Sequence, residues 1–207
     1  WSGTLLGEKV SVVSTGIGCP SAAIAVEELV EAGADTLIRV GSSGSMQPYI
    51  HTGDVVVVSA AIRDEGTTPY YLPIEFPAVA DIEVVTALRE AALRLGVKSH
   101  TGVSQSKDSF YGEVERTRMP MASRLAERWN AFIAGGAACS EMESSALFIL
   151  SSLYRKRAGG VMLVINESDL AETDEDDAAK HMAEFDADSV IKVAVEALKI
   201  LIEADRR

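Results

Sequence analysis

Thr36-Leu37-Ile38-Arg39-Val40-Gly41-Ser42-Ser43-Gly44 decides how the rest of this chain is read. Thr36 to Val40 reads as a buried strand. Gly41 to Gly44 then supply small or hydroxyl-bearing residues whose backbone N–H groups can face an anion. An arginine inside an otherwise apolar strand must find an anion or lose its hydration uncompensated. A bound phosphate meets that need, and so does a core carboxylate in a structural ion pair.

Upstream, Lys9 to Ser14 is a β-branched run taken as the first full strand, followed by the turn Thr15-Gly16-Ile17-Gly18. Cys19-Pro20 places proline at the first helical position, and a helix to about Ala32 follows from the spacing of Ala22, Ala23, Ala25, Val26, Leu29 and Val30, with Gly33 as its terminator. The turn has neither GxGxxG nor an acidic partner about 20 residues on, so it reads as a strand-to-helix turn rather than a dinucleotide site.

Downstream, Asp54 to Ile62 is long and almost wholly apolar, as strands covered on both faces are. A helix over Asp81 to Leu95 ends at Gly96, and a strand runs from His100 to Ser106. Helices are expected from Pro120 to Asn130 and from Met142 to Lys156. Val161 to Asn166 forms the last buried strand and Asp186 to Ala204 a closing amphipathic helix. This alternation predicts one α/β domain over residues 1–207, a three-layer α/β/α sandwich around a mixed sheet. Trp1 is not a natural initiator, and an N-terminal segment is expected to be absent.

A chain of 207 residues with 47% hydrophobic content can bury a sizeable core. Its formal charge of −12 argues against a nucleic-acid partner, whose phosphates need Lys and Arg to neutralise them. The acidic block Glu172 to Asp177 reads as a solvated loop. Cys19 and Cys139 have no CxxC spacing, and no signal peptide or apolar run of membrane-spanning length is visible, so a cytoplasmic protein with no membrane partner is expected. His51, His100 and His181 form no HExxH pair, which argues against a zinc hydrolase.

In sheets of this kind ligands gather where strands end. The informative residues fall there: Thr15-Gly16, Arg39 to Ser42, Lys107-Asp108-Ser109-Phe110, Glu141-Met142-Glu143 and Ile165-Asn166. Glu141 and Glu143 are i and i+2 and cannot share a helix face. One is free to cap the helix while the other accepts hydrogen bonds from a sugar diol; two acids attracted by the helix dipole are the plainer reading. Phe110-Tyr111 either stacks on a base or plugs a surface loop, with Glu113 to Arg118 at hand to read a base edge. An anion site beside a diol site points to phosphate attacking a nucleoside.

Ser14 to Gly18, Ala25 to Leu29, Arg39 to Gly44, Gly53-Asp54-Val55, Glu75 to Asp81, Asp108 to Gly112 and Glu141 to Ser144 together resemble the nucleoside phosphorylase family, and within it the uridine branch. The resemblance implies phosphorolysis of uridine to uracil and ribose 1-phosphate, with no cofactor and phosphate as co-substrate. It implies that Arg39 and Ser42 bind phosphate, that Ser42, Met142 and Glu143 hold the ribose, and that Arg39 and Glu143 carry catalysis. It assigns the base to Phe110, Glu113, Arg116 or Arg118, Val164 and Ile165. It implies a homo-oligomer, a dimer or a hexamer of dimers, and, as in some relatives, a monovalent ion near Ile17 and Ser21 at the dimer interface.

The family's N-terminal phosphate turn, Gly-Asp-Pro with an added arginine, has no counterpart in these 207 residues. Where many relatives have Gln after Phe-Tyr-Gly, this chain has Glu113. A carboxylate accepts from uracil N3–H but cannot donate to a carbonyl, and its charge opposes a departing uracil anion. Asn166 stands near the place of the Asp that protonates purines in many purine phosphorylases, and Asp169 takes that role only with a register shift. A purine phosphorylase, a nucleosidase and a non-catalytic nucleoside-binding relative remain alternatives.

Overall fold

A computed structural model describes residues 1–167 and 187–206. Asp169, the block Glu172 to Asp177, His181 and the expected helix start at Asp186 lie outside the described residues. The main sheet has six strands: β3 (Thr36–Ser45), β4 (Val55–Asp64), β5 (Ala78–Val79), β6 (Ser99–Lys107), β7 (Cys139–Glu141) and β8 (Arg157–Asn166). Their order is β5-β4-β6-β7-β3-β8. The sheet is mixed as expected, and it closes on itself, because β4 also pairs antiparallel with β8 from Val55↔Leu163 to Val58↔Gly160. Closure removes the exposed strand edges an open sheet would carry there. It also explains why Val55 to Val58 are all wholly buried.

Helices cover the sheet in two pairs. On one side α1 (Cys19–Glu31) packs against α5 (Ser144–Leu153); elsewhere α2 (Ile82–Arg94) packs against α6 (Asp188–Asp205). Helix α2 starts where sequence indicates, because the Asp81 carboxylate accepts from the N–H groups of Glu83 and Val84. A single turn, α3 (Tyr111–Val114), a 3₁₀ turn at Arg116–Arg118 and α4 (Ala122–Ala134) follow β6, and Trp129 is the buried residue of α4.

Several sequence expectations shift. The run Lys9 to Ser14 is not a strand of the main sheet: β2 (Glu8–Ser11) pairs with β1 (Ser2–Leu5) in a separate hairpin. A two-residue turn, Leu6 and Gly7, both at positive φ, makes the adjacent segment its partner. Gly41 to Gly44 are not a loop; β3 continues through them, paired with β8 and bulged between Ser43 and Gly44. β8 begins at Arg157, four residues before the expected start at Val161. Helix α4 runs on to Ala134 instead of stopping at Asn130. Helix α5 begins at Ser144, not Met142, and ends at Leu153, with Arg155 at positive φ beyond it. Short strands β5 and β7 carry no sequence pattern of their own.

Candidate active site

Arg39 projects from β3 into a ring of anionic oxygens. Its guanidinium pairs with the Glu143 carboxylate and lies 3.5 Å, through Nε, from Glu141 Oε2. It also touches the Met162 sulfur. Burial opposes its charge, and the two carboxylates outweigh that cost, so its pKa stands above the ordinary arginine value. Gly41 makes room: a Cβ there would run into the Arg39 guanidinium. The core carboxylate considered as a structural partner for Arg39 is therefore present, and it belongs to the same tripeptide that supplies the candidate diol ligand.

The two carboxylates serve different ends, as their spacing requires. Glu141, at the end of β7, accepts from Glu143 N at 2.8 Å and Ser144 N at 2.9 Å and so caps α5. Its other oxygen takes the hydroxyls of Ser104, at 3.1 Å, and Ser106. Burial raises its pKa, but Arg39 and these donors more than reverse that and hold the carboxyl below its ordinary value. Glu143 turns the other way. Its Oε1 accepts from the backbone N–H of Gly18 at 2.6 Å, and its Oε2 faces Arg39. Gly18, at φ 88°, has the left-handed backbone that lets its N–H point there at the start of α1. Met142 sits between them, half-buried, and its carbonyl accepts from the Cys19 thiol at 3.2 Å. Ser42 is exposed on β3, and its hydroxyl has no partner among the described residues.

A second cluster lies at the end of β6. The Lys107 ammonium is buried and donates to Glu113 Oε1 at 2.7 Å and Ser140 Oγ at 2.6 Å. Ser140 Oγ also lies 2.9 Å from Glu113 Oε2 and 3.0 Å from Gln105 Oε1. Lys107, Glu113 and Gln105 of this cluster line an open cleft of about 180 Å³, walled also by Asp64, Arg116, Arg128 and Trp129, with Ser140 behind the lining. The Arg116 guanidinium stands 4.8 Å over the Trp129 ring and pairs with no carboxylate among the described residues. The spacing left Arg116 and Arg118 open, and the structure separates them: Arg116 lines the cleft, whereas Arg118 is exposed and paired with Glu115.

Phe110 is exposed, edge-on to Tyr111 with ring centroids 5.5 Å apart, and is not in the cleft lining. It is not a plug beneath the loop. Val164 and Ile165 are not in the cleft lining. Val164 is wholly buried in the main core, with its N–H given to Asp54 O and its carbonyl taken by Gly53 N, so no edge of it is free for a base. Ile165 packs partly buried against the same core. Lys107, Ser140 and Gln105 escaped the sequence reading. The sequence marks Lys107 only as a strand end, and nothing in its neighbours announces a buried ammonium.

Burial pushes the thiols of Cys19 and Cys139 up to about 12, which leaves neither as a nucleophile at neutral pH. His51 and His100 serve the start of β4: His100 Nε2 lies 2.8 Å from Asp54 and His51 Nδ1 lies 3.4 Å from Glu167. Among the described residues no three His, Cys, Asp or Glu side chains are grouped to hold a metal. No helix among them is long and apolar enough to cross a membrane.

The closed mixed sheet thus sets an arginine on β3 against the carboxylates that follow β7, and opens a polar cleft at the end of β6, on the other side of β7. The chain belongs to the phosphorylase superfamily, whose family model matches residues 1–204. It is similar to the uridine phosphorylase of Treponema pallidum, at 49% identity over 205 residues, 99% of this chain and 78% of that one. It is 42% identical to the uridine phosphorylase of Thermococcus kodakarensis over 213 residues, 99% of this chain and 71% of the other. The guanosine phosphorylase of Halorubrum lacusprofundi is 33% identical over 198 residues, 94% of this chain and 78% of that one.

Proposed function

We propose that this protein is a uridine phosphorylase that reversibly converts uridine and phosphate to uracil and ribose 1-phosphate. The observation that carries the reading is the meeting of Arg39 and Glu143, an anion ligand and a diol ligand in direct contact. In the unliganded protein they satisfy each other. Phosphate takes the place of Glu143 at Arg39, with the free Ser42 hydroxyl as a second donor. Glu143 then turns its carboxylate to the ribose hydroxyls beside Met142, still steadied by Gly18 N–H.

Breaking the glycosidic bond develops positive charge on the sugar and negative charge on the base, so positioning and electrostatics supply the acceleration. Phosphate is the nucleophile, consistent with two thiols held protonated. The base lies toward the Lys107–Glu113 cleft, with Arg116 offering N–H donors to a carbonyl oxygen and Phe110 covering the entrance. In this reading no cofactor takes part. For a monovalent ion, Ser21 offers one hydroxyl, which already donates to the Thr15 carbonyl. That is one ligand of the several an ion needs, and no step passes through it.

The same reading places the enzyme in the cytoplasm as a homo-oligomer. Its two cysteines are buried free thiols, which supports the first. Ile17, Ile24, Tyr70 and Ile82 are exposed apolar side chains, which supports the second. The test incubates the full-length protein with a nucleoside panel, with and without phosphate. Uridine cleavage that requires phosphate and yields ribose 1-phosphate is expected. Cleavage without phosphate makes the protein a nucleosidase, preference for guanosine moves it beside the 33% relative, and binding without turnover makes it a silent relative.

A further inference from the structure

The identity of Glu113 raises a difficulty for uridine chemistry, and Lys107 removes it. A carboxylate beside the leaving base repels the negative charge that grows there as the glycosidic bond breaks. Lys107 is 8% exposed, and its ammonium sits 2.7 Å from Glu113 Oε1. Three carboxylates, Asp64, Asp108 and Glu113, and three cations, Lys107, Arg116 and Arg128, line the cleft. Asp64 is taken by Arg128 and by Gln105 Nε2 at 2.7 Å, and Asp108 accepts from Gly66 N at 2.9 Å. Lys107 is therefore the cation that answers Glu113, and Arg116 remains for the ligand.

We propose that Lys107 and Glu113 act as one neutral unit that does the work of an amide at the base end, Glu113 accepting from the pyrimidine N3–H while Lys107 cancels its charge and fixes its orientation. The inference rests on the cleft being the base end of the proposed uridine site. An ammonium has three N–H donors, and Glu113 and Ser140 take two of them. The third is available to a base carbonyl, the donation that a carboxylate alone cannot make. Ser140 clamps the pair, since its hydroxyl accepts from Lys107 and faces the second Glu113 oxygen. Lys107 is in this sense a positioning residue that makes an acidic side chain compatible with an anionic leaving group.

The test is a double-mutant cycle with Lys107→Met, Glu113→Gln and both together, using uridine and 5-fluorouridine at saturating phosphate. Fluorine makes the departing base a better anion, so it needs less help from the protein. Lys107→Met leaves the carboxylate alone against the base and is expected to lower uridine turnover about 100-fold, but 5-fluorouridine turnover about tenfold less than that. Glu113→Gln leaves a buried ammonium without its partner and is expected to cost about tenfold. The double variant restores neutrality, so it turns over uridine faster than either single variant, with the parental ratio between the two substrates.

Losses that simply multiply in the double variant, or a Lys107→Met loss equal for both substrates, overturn the proposal and reduce Lys107 to a structural role. If Lys107→Met does not fold, the comparison of Glu113→Gln with the double variant decides alone, since the proposal requires the double variant to be faster. A parent that cleaves guanosine but not uridine sinks the uridine reading instead, and the same cycle on guanosine then tests the Lys107–Glu113 coupling separately.

Discussion

The two ends of the site flank the short strand β7, Arg39 on β3 at one side and Lys107 on β6 at the other, yet they are in opposite states. At the Arg39 end every charged group is already satisfied: Glu141 takes donors on both oxygens, Glu143 is held by Gly18 and Arg39, and Arg39 bridges the two acids. At the Lys107 end the paired charges line an open cleft, and Arg116 has no acidic partner among the described residues. On the proposed function, the contrast means that phosphate and ribose enter by exchanging partners, whereas the base enters by addition. A saturated end should be sensitive to any change in its partners. An open end should tolerate changes that do not face the ligand.

The largest effect is expected from Arg39→Ala. On the proposed function it removes the anion ligand, and the kcat/KM for phosphate should fall about 1,000-fold or more, because a charge-assisted guanidinium–phosphate contact is lost. It also leaves Glu141 buried without its cation, so the melting temperature should drop as well. Steady-state kinetics against phosphate, together with thermal melting, check both. An unchanged phosphate dependence in a folded variant would return Arg39 to a purely structural pair and break the partner-exchange account.

Glu143→Gln comes next. The amide keeps one acceptor oxygen for Gly18 N–H but turns N–H donors toward Arg39, and it offers the ribose a poorer diol ligand. Turnover should fall about 100-fold with the fold retained, because Glu141, not Glu143, caps α5. Circular dichroism and kcat measured on the same sample separate the two effects. Near-parental turnover would exclude Glu143 as the ribose anchor.

How much of this was legible in the sequence follows the same division. Arg39 and the pair Glu141 and Glu143 stood out because a charge in an apolar strand and paired acids at a helix start are local patterns with a physical cost attached, while the choice of Glu143 for the ribose came from the family resemblance. That Glu141 and Glu143 serve different ends also followed from their spacing, but not that Glu141 is the one that caps α5. Lys107 was not legible, since its significance lies in a cross-strand contact with Ser140 and a turn that brings Glu113 back over it. Neither was the closure of the sheet, because the β4–β8 pairing joins residues more than 100 positions apart in sequence. The burial of Val164 was not legible for the related reason that a fully buried strand residue and a pocket-lining one carry the same apolar side chain.

The saturated end also predicts how the protein responds to acid. Burial pushes Glu141 up, but Arg39 and its hydrogen-bond donors hold it lower than an ordinary carboxyl; burial likewise opposes Lys98, His100 and the His51 N–H at Asp54, and again the net shift is downward. A carboxyl held low binds fewer protons in the native than in the unfolded protein, so acid favours unfolding. The contribution is complete above the ordinary values of 4.5 for Glu and 3.8 for Asp and is lost as pH falls through the native values beneath them. Melting temperature followed from about pH 7 to about pH 3 should therefore fall, and Glu141→Gln should flatten that fall while lowering stability at neutral pH. An acid limb that keeps its full slope in the variant would show that Glu141 is not among the groups that set it.

The smallest effects belong to the open end, where two arginines two residues apart should behave differently. Arg116 stacks over Trp129 and lines the cleft without a carboxylate partner, so Arg116→Ala removes a donor facing the base and a cation that offsets its growing charge. A loss of about tenfold in kcat/KM for uridine is expected, and the thermal midpoint should fall slightly from the lost stacking. Arg118 is exposed, paired with Glu115 three residues earlier, and lies 5.5 Å over the Tyr111 ring. An exposed pair of that kind contributes at most about 1 kcal/mol, and its guanidinium is absent from the cleft lining. Arg118→Ala should therefore leave uridine kinetics within about twofold of the parent, the scale that a surface substitution allows. If Arg118→Ala instead costs more than Arg116→Ala, the Phe110–Arg118 segment must turn over when the base binds, and addition into a preformed cleft would give way to closure of that segment.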